Sequence, residues 1–305
     1  MSLFLQSTKA VSAACQEIAD CVGASGDPEM TNRAWRSLVA GIEHFNNRAN
    51  WDYLRVEADP VKVYAPFSVT GVTASGGQAS AAAPTGHGIL PNDIIIGNYW
   101  PTVSRVSATA AGGFGFVLTS GLVGTAVSTV QFYRDMYPLP GDWKAPYDMR
   151  LQLSNRPLNY VGRRLYDRSV VNEINNTTTF WYDLFVVGSK GSIRMLAPPM
   201  ADDILQMRYY RRMTVPTTSA TADAVDIVQD YEPYLIAYGK WHFLVDKGDG
   251  RGDQAKTWLS MSQDGLTTML RDQTRIPDEG LMFLPGASQP GQLGDNTTRW
   301  LPWDW

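Results

Sequence analysis

Between residues 66 and 133 the chain drops every helical period and runs on Gly, Ala, Ser, Thr and Val, while amphipathic helical patterns stand on either side of it. Short apolar runs, Ile94-Ile95-Ile96, Phe114-Gly115-Phe116-Val117-Leu118 and Ser128-Thr129-Val130-Gln131-Phe132-Tyr133, alternate with turn sequences such as Leu90-Pro91-Asn92-Asp93 and Ala111-Gly112-Gly113. Strand-length runs separated by glycine turns predict a small antiparallel β-barrel inserted into a larger domain. The flanking segments must then find each other across it, which points to an α+β fold.

Upstream, Val11, Ala14, Cys15, Ile18, Ala19 and Val22 recur at helical spacing, and Gly23 offers a stop. Asp27 suits an N-cap with Pro28 at the first helical position, and Trp35, Leu38, Val39, Ile42 and Phe45 form a second stripe, predicting an antiparallel helix hairpin. The alternation of VKVYAPFSVTGV from Val61 reads as a strand. Downstream, strands are expected at 149–153, 158–161, 179–187, 192–196 and 204–211, the last with Leu205, Met207 and Tyr209 on one face. Tyr231, Leu235, Tyr238, His242 and Val245 mark a third helix, and Ala255, Trp258, Leu259, Leu266, Met269 and Leu270 a fourth. The expected architecture is a helical bundle from the N- and C-terminal helices joined to an antiparallel β domain. Residues 1–65 and 134–272 form this core, 66–133 the inserted barrel, and 273–305, rich in Pro and Gly, an extended tail.

A net charge of −4 and a sequence pI near 5.4 argue against gripping nucleic acid by its phosphates. The N-terminal run is broken by Gln6, Lys9, Glu17 and Asp20, so it reads neither as a signal peptide nor as a membrane span. Charged residues make up 18%, below the usual quarter, while ten tryptophans and fourteen tyrosines favour extensive protein interfaces or a large core. Cys15 and Cys21 lie six apart on a helical pattern, where they share no face, and read as reduced thiols.

Catalytic constellations are scarce. His44, His87 and His242 are isolated from one another, which leaves little for a triad or a zinc site. Asp246 to Asp253 lacks the alternating oxygen ligands of a calcium loop and reads as the turn between the last two helices, with Arg251-Gly252-Asp253 a chance triplet. The neighbouring acids Asp202-Asp203 and Asp278-Glu279 do not supply the spatial separation that glycoside hydrolysis needs. Arg163-Arg164 and Arg211-Arg212, interleaved with tyrosines, fit strand-surface or subunit-interface charges better than a nucleic-acid face. The reading is of a non-enzyme with no catalytic, cofactor-binding or metal residue. Trp300, Leu301, Trp303 and Trp305 form the candidate protein-interface anchor, since so short a segment cannot bury three indoles on itself.

The order of segments resembles the head-to-tail adaptor, or tail tubular protein A-like connector, family of tailed bacteriophages. The resemblance covers roughly residues 3 to 272. It rests on Arg48-Ala49-Asn50-Trp51-Asp52-Tyr53-Leu54 after the paired helices, the run Tyr133 to Trp143 after the insert, and Arg156-Pro157-Leu158-Asn159-Tyr160-Val161. It continues through Leu196 to Tyr210 and Tyr231-Glu232-Pro233-Tyr234-Leu235-Ile236-Ala237-Tyr238-Gly239. The resemblance implies a homo-oligomeric ring, commonly of about twelve copies, under the portal protein. Such a ring seats a tail or nozzle protein, passes DNA through its lumen without specific binding, and involves no membrane. It would reside in the neck or tail of the virion and in the host cytoplasm during assembly. An acidic chain suits a channel through which DNA slides. The alternative is a phage tail or baseplate module that binds carbohydrate with its aromatics. The aromatic C-terminus, Arg299 to Trp305, matches no pattern of the family.

Overall fold

The computed structural model describes residues 5–24, 26–74, 80–83, 88–96, 104–109, 115–118, 129–154, 156–160, 181–187, 190–195, 199, 201–248, 250 and 252–275. They fold as α+β, with helices α1 (Val11–Asp20), α2 (Pro28–Arg48), α3 (Glu232–Asp246) and α4 (Asp253–Arg275). The chain divides into two compact units. One takes Met1–Lys9, Ile42–Thr217 and Asp223–Gln229, and the other Ala10–Gly41, Thr218–Ala222 and the chain from Asp230 onward.

The helix ends follow the sequence signals. Gly23 adopts φ +70° after α1, a conformation that costs glycine nothing. Asp27 caps α2: its carboxylate accepts the Glu29 N–H at 2.9 Å, and its carbonyl accepts the Thr31 N–H at 2.9 Å. The α4 pattern runs on to Arg275, past residue 272 where the sequence reading ends the core.

In the β-containing unit, a five-stranded sheet is centred on β16 (Asp203–Arg211) and β11 (Trp143–Leu151), with β12 (Arg156–Pro157) beyond β11. Two three-residue strands, β1 (Arg55–Glu57) and β2 (Val61–Val63), lie end to end along the other side of β16. A four-stranded sheet has the order β10 (Met136–Pro138), β15 (Lys190–Met195), β14 (Trp181–Val187), β13 (Asn159–Tyr160), and its β13–β14 pair is parallel. Both sheets feed one core. Val63, Met149, Leu151, Leu205 and Met207 come from the first, and Tyr137, Tyr182, Ile193 and Met195 from the second. Along β16 the predicted alternation holds, with Leu205, Met207 and Tyr209 buried and Gln206, Arg208 and Tyr210 less so.

The insert has its own core, formed by Val69, Val72, Ala83, Ile89, Ile95, Val106, Val130 and Phe132. Its strands are β3 (Phe67–Thr70), β4 (Thr73–Ala74), β5 (Ser80–Ala82), β6 (Ile94–Ile96), β7 (Ser104–Thr109), β8 (Gly115–Leu118) and β9 (Thr129–Tyr133). They pair along one open path, β3-β9-β6-β7-β8-β5-β4, so the expected barrel is not closed by any strand pair among the described residues. The strands at the two ends of the path, β3 and β4, are consecutive in sequence, with only Gly71 (φ +75°) and Val72 between them. Strand β7 pairs β6 through Ser104 and Arg105, then β8 from Val106 onward, with a register irregularity between Val106 and Ala108. A strand that changes partner at such an irregularity turns a corner of the sheet. The alternation from Val61 is not one strand either. It breaks before Phe67, where Pro66 has no N–H for a ladder, so that Val63 enters the core of the two sheets and Val69 that of the insert.

In the helical unit, α3 is the central element. Gly239 lies against Ile18 of α1 and Leu38 of α2, and a Cβ there would sit 2.6 Å from the Ile18 Cδ1. Gly41 of α2 meets Leu235 and Tyr238, and His242 Nδ1 lies 3.2 Å from the Ser37 hydroxyl. Lys240 pairs with Glu17 of α1 at 2.9 Å and stands over the Trp258 ring of α4 at 4.5 Å. The Tyr234 ring lies directly on Gly265 of α4. Leu38 and Leu266 are buried as their stripes predict, while Trp35, Trp258 and Leu259 are half-buried.

Candidate functional site

Trp300, Leu301, Trp303 and Trp305, the interface anchor read from the sequence, lie outside the described residues, as do His87, Arg163, Arg164, Asp278 and Glu279. The remaining candidates hold the fold together. Asp202 pairs with Lys62 at 2.8 Å on the surface and accepts the Ala65 N–H. Its neighbour Asp203, 4% exposed, accepts the N–H groups of Leu153, Ser154 and Ile204. Burial works against the Asp203 charge, but these donors outweigh it and hold its pKa below the ordinary carboxylate value. The two acids therefore face different partners, which removes the paired-carboxylate geometry. Arg211 forms a two-pronged pair with Asp226, and Tyr209 donates to Asp142 at 2.7 Å, so this basic stretch is engaged within the chain. The Arg48 guanidinium reaches His44 at 3.4 Å. Cys15 is buried, which raises its thiol pKa to about 11, and Cys21 is half-buried with its pKa also raised, chiefly by burial. Among the described residues no group of His, Cys, Asp and Glu could hold a metal ion, and no helix is long and apolar enough to cross a membrane.

The most organised polar constellation sits where the insert leaves its sheet. Arg134 donates to both oxygens of Asp93, Nε at 2.9 Å and an Nη at 3.1 Å, and to the Gly88 carbonyl at 3.0 Å. Arg105 grips Asp135 in the same way at 2.8 and 2.6 Å and also donates to the Asn92 carbonyl. Asp135 is fully buried and Asp93 2% exposed. Tyr133 donates to the Met195 carbonyl at 2.9 Å, and Tyr137 to the Arg134 carbonyl at 2.9 Å. Fork-to-fork pairs of this kind fix direction as well as distance, so the insert is braced against the four-stranded sheet. Sequence reasoning missed these residues. The only local signals were the turn acid Asp93 and the Arg134-Asp135 dipeptide, and neither names its partner.

A second polar surface covers the outer face of the five-stranded sheet. Arg55 lies over the Tyr147 ring at 4.0 Å and pairs with Asp52 at 2.7 Å. Burial opposes the Arg55 charge, but Tyr210 and Asp52 outweigh it and its pKa is raised. Asp148 joins Arg150 at 2.6 Å, and Arg208 reaches Glu57 at 3.4 Å. Tyrosine and arginine on a firm sheet face have the composition of interface anchors. No protein-family model matches this chain, and no curated protein matches it.

Proposed function

We propose that this chain is a structural virion protein of a tailed bacteriophage, a head-to-tail adaptor. Its copies form a ring beneath the portal, extend the DNA channel and seat tail components. The observation that carries the reading is the order of parts. Helices from both ends of the chain form one compact unit, and a β insert with its own core leaves the β-containing unit between paired strands. Four of the five segments behind the adaptor resemblance adjoin the joints of this arrangement: the end of α2, the exit of the insert, β16 and the start of α3. Among the described residues, the polar side chains named above serve to brace the fold. Function then resides in geometry.

The finer architecture belongs to the same proposal: a helical bundle, and an insert that is a small barrel. The barrel reading is supported by the step from Thr70 to Thr73, which spans at most about 11 Å and so keeps the outermost strands of a seven-stranded sheet close together. A sheet whose two edges are so tethered must curl. In this reading Trp300, Leu301, Trp303 and Trp305 are interface anchors. Native mass spectrometry and electron microscopy of the purified chain, alone and with portal protein, test the function: closed rings are expected, and a chain that never closes one overturns it. Truncation after Asn296 should leave the melting temperature of the monomer nearly unchanged while weakening assembly.

A further inference from the structure

Helix α3 carries apolar residues on every side, a composition that suits a helix enclosed all round. Its partners cover three sides. At about 100° per residue, Gly239 and Lys240 face α1, Leu235 and His242 face α2, and Trp258 of α4 meets Lys240 from the other flank. Tyr234, Tyr238, Trp241 and Val245 follow one another at helical spacings of four, three and four residues, with Tyr234 lying against Gly265 of α4 and Tyr238 against Gly41 of α2. These three aromatics are half-exposed, and Val245 is 43% exposed. Tyr234 also floors an open groove of about 590 Å³ whose wall is the α4 face of Lys256, Thr257, Ser260, Met261 and Asp264. The groove is wide open, with Tyr234 and Met261 as its apolar residues and Lys256, Thr257, Ser260 and Asp264 as its polar ones.

We infer that this groove, with Tyr234 as floor and the Lys256–Asp264 face of α4 as wall, is the seat of the polypeptide's own C-terminal aromatic segment, residues 299–305. Three facts select this occupant. The sequence continues for thirty residues after α4 ends at Arg275, and at roughly 3.3 Å per residue this length reaches any point of the groove. The segment is aromatic at Trp300, Trp303 and Trp305, and it meets a floor of tyrosine and a methionine, which indoles pack against well. The charges also correspond. Lys256 and Asp264 flank the groove about 12 Å apart along the helix. Asp304 and Arg299 flank the tryptophans with opposite signs, about 16 Å apart when extended. Laid antiparallel to α4, the segment brings Asp304 to Lys256 and Arg299 to Asp264. Lys256 is free to turn, since its pair with Asp253 at 3.2 Å is exposed on both sides. The seat itself requires no ring, and it agrees with the interface-anchor role under the proposed function when the segment that fills it comes from a neighbouring copy.

The test is photo-crosslinking in the full-length chain, with a benzophenone amino acid in place of Ser260, an exposed position on the groove wall. Mass spectrometry of the digest should find the crosslink in peptides containing residues 300–305. Lys256→Glu should lower the yield by up to about fivefold, the upper end for one exposed charge pair, and adding Asp304→Lys should restore it. Crosslinks confined to other segments, no crosslink at all, or a yield indifferent to both charge changes would each overturn the assignment. Mixing isotopically labelled and unlabelled chains shows whether the segment comes from the same copy or another. Either origin supports the seat, and rings are scored separately by imaging.

Discussion

Phe67 and Phe132 are directly opposed partners on the antiparallel pair β3–β9, their rings stacked 5.7 Å apart, and they stand where the insert begins and ends. Opposed Cα atoms of such a pair lie about 4.5–5.5 Å apart, so the insert hangs from a root that a few residues can bridge. Replacing residues 70–130 by a short glycine linker should therefore leave the helices folded. The deletion removes Arg105 and would strand the buried Asp135 carboxylate, so it should carry Asp135→Asn. Far-UV circular dichroism retaining the helical signal is the expected result. Loss of that signal would show that the rest of the chain depends on the insert.

The Arg105–Asp135 pair is unequal, with side-chain exposures of 19% and 0%. Arg105→Met leaves a carboxylate with no route to water and should cost about 3–5 kcal/mol. Asp135→Asn leaves an arginine able to swing toward solvent, and should cost less, about 1–3 kcal/mol. Urea denaturation of the two variants measures the order. Equal costs would mean that the arginine is held as tightly as the acid.

The helical stripes, the Asp27 cap and the alternation of β16 were legible in the sequence because each is a local pattern read against a local rule. The strand-rich character of residues 66–133 was legible because the composition changes at both ends of that stretch. Strand β1 was not, since three residues are too few to show a period and its register is set by β16. The Asp93–Arg134 and Arg105–Asp135 pairs join residues 41 and 30 positions apart, and nothing local selects a partner over such spans. Pro66 was the visible hint that the alternation after Val61 would break, but the pattern continued beyond it and hid the passage from one core to the other.

Gly265 fixes how closely α3 and α4 approach. A Cβ there would lie 2.0 Å from Tyr234 Cγ and 2.5 Å from its Cβ, too near the backbone for a rotamer change alone to relieve. Alanine gains about 1 kcal/mol of helix propensity over glycine, while overpacking costs about 1–3 kcal/mol. Gly265→Ala should thus lower the melting temperature in spite of its better propensity. A rise would show that the helices separate without loss and that Tyr234 is not held between them.

Lys144 gives the chain an alkaline stability dependence. Its side chain reaches into the end of α2, where it donates to the carbonyls of Asn46 and Ala49, groups that a helix terminus leaves without intrahelical partners. Burial, and then the charge of Arg212, lower its pKa from the ordinary 10.5 to about 8. A neutral amine still has two N–H bonds, enough for two carbonyls. Because the folded pKa is the lower one, the unfolded chain holds the extra proton between about pH 8 and 10.5, and this group makes stability rise with pH across that window. Cys15 and the buried Tyr137 and Tyr182 act in the opposite sense, since their raised pKa values favour the unfolded chain once its thiols and phenols ionise. The comparison must therefore be made against a variant. Lys144→Met should be less stable throughout, through loss of both hydrogen bonds, and the difference should widen from about pH 8 to 9.5 as the native lysine sheds its penalty. Urea midpoints of the two proteins over that range are the measurement. A constant difference would mean that Lys144 stays charged at the helix end.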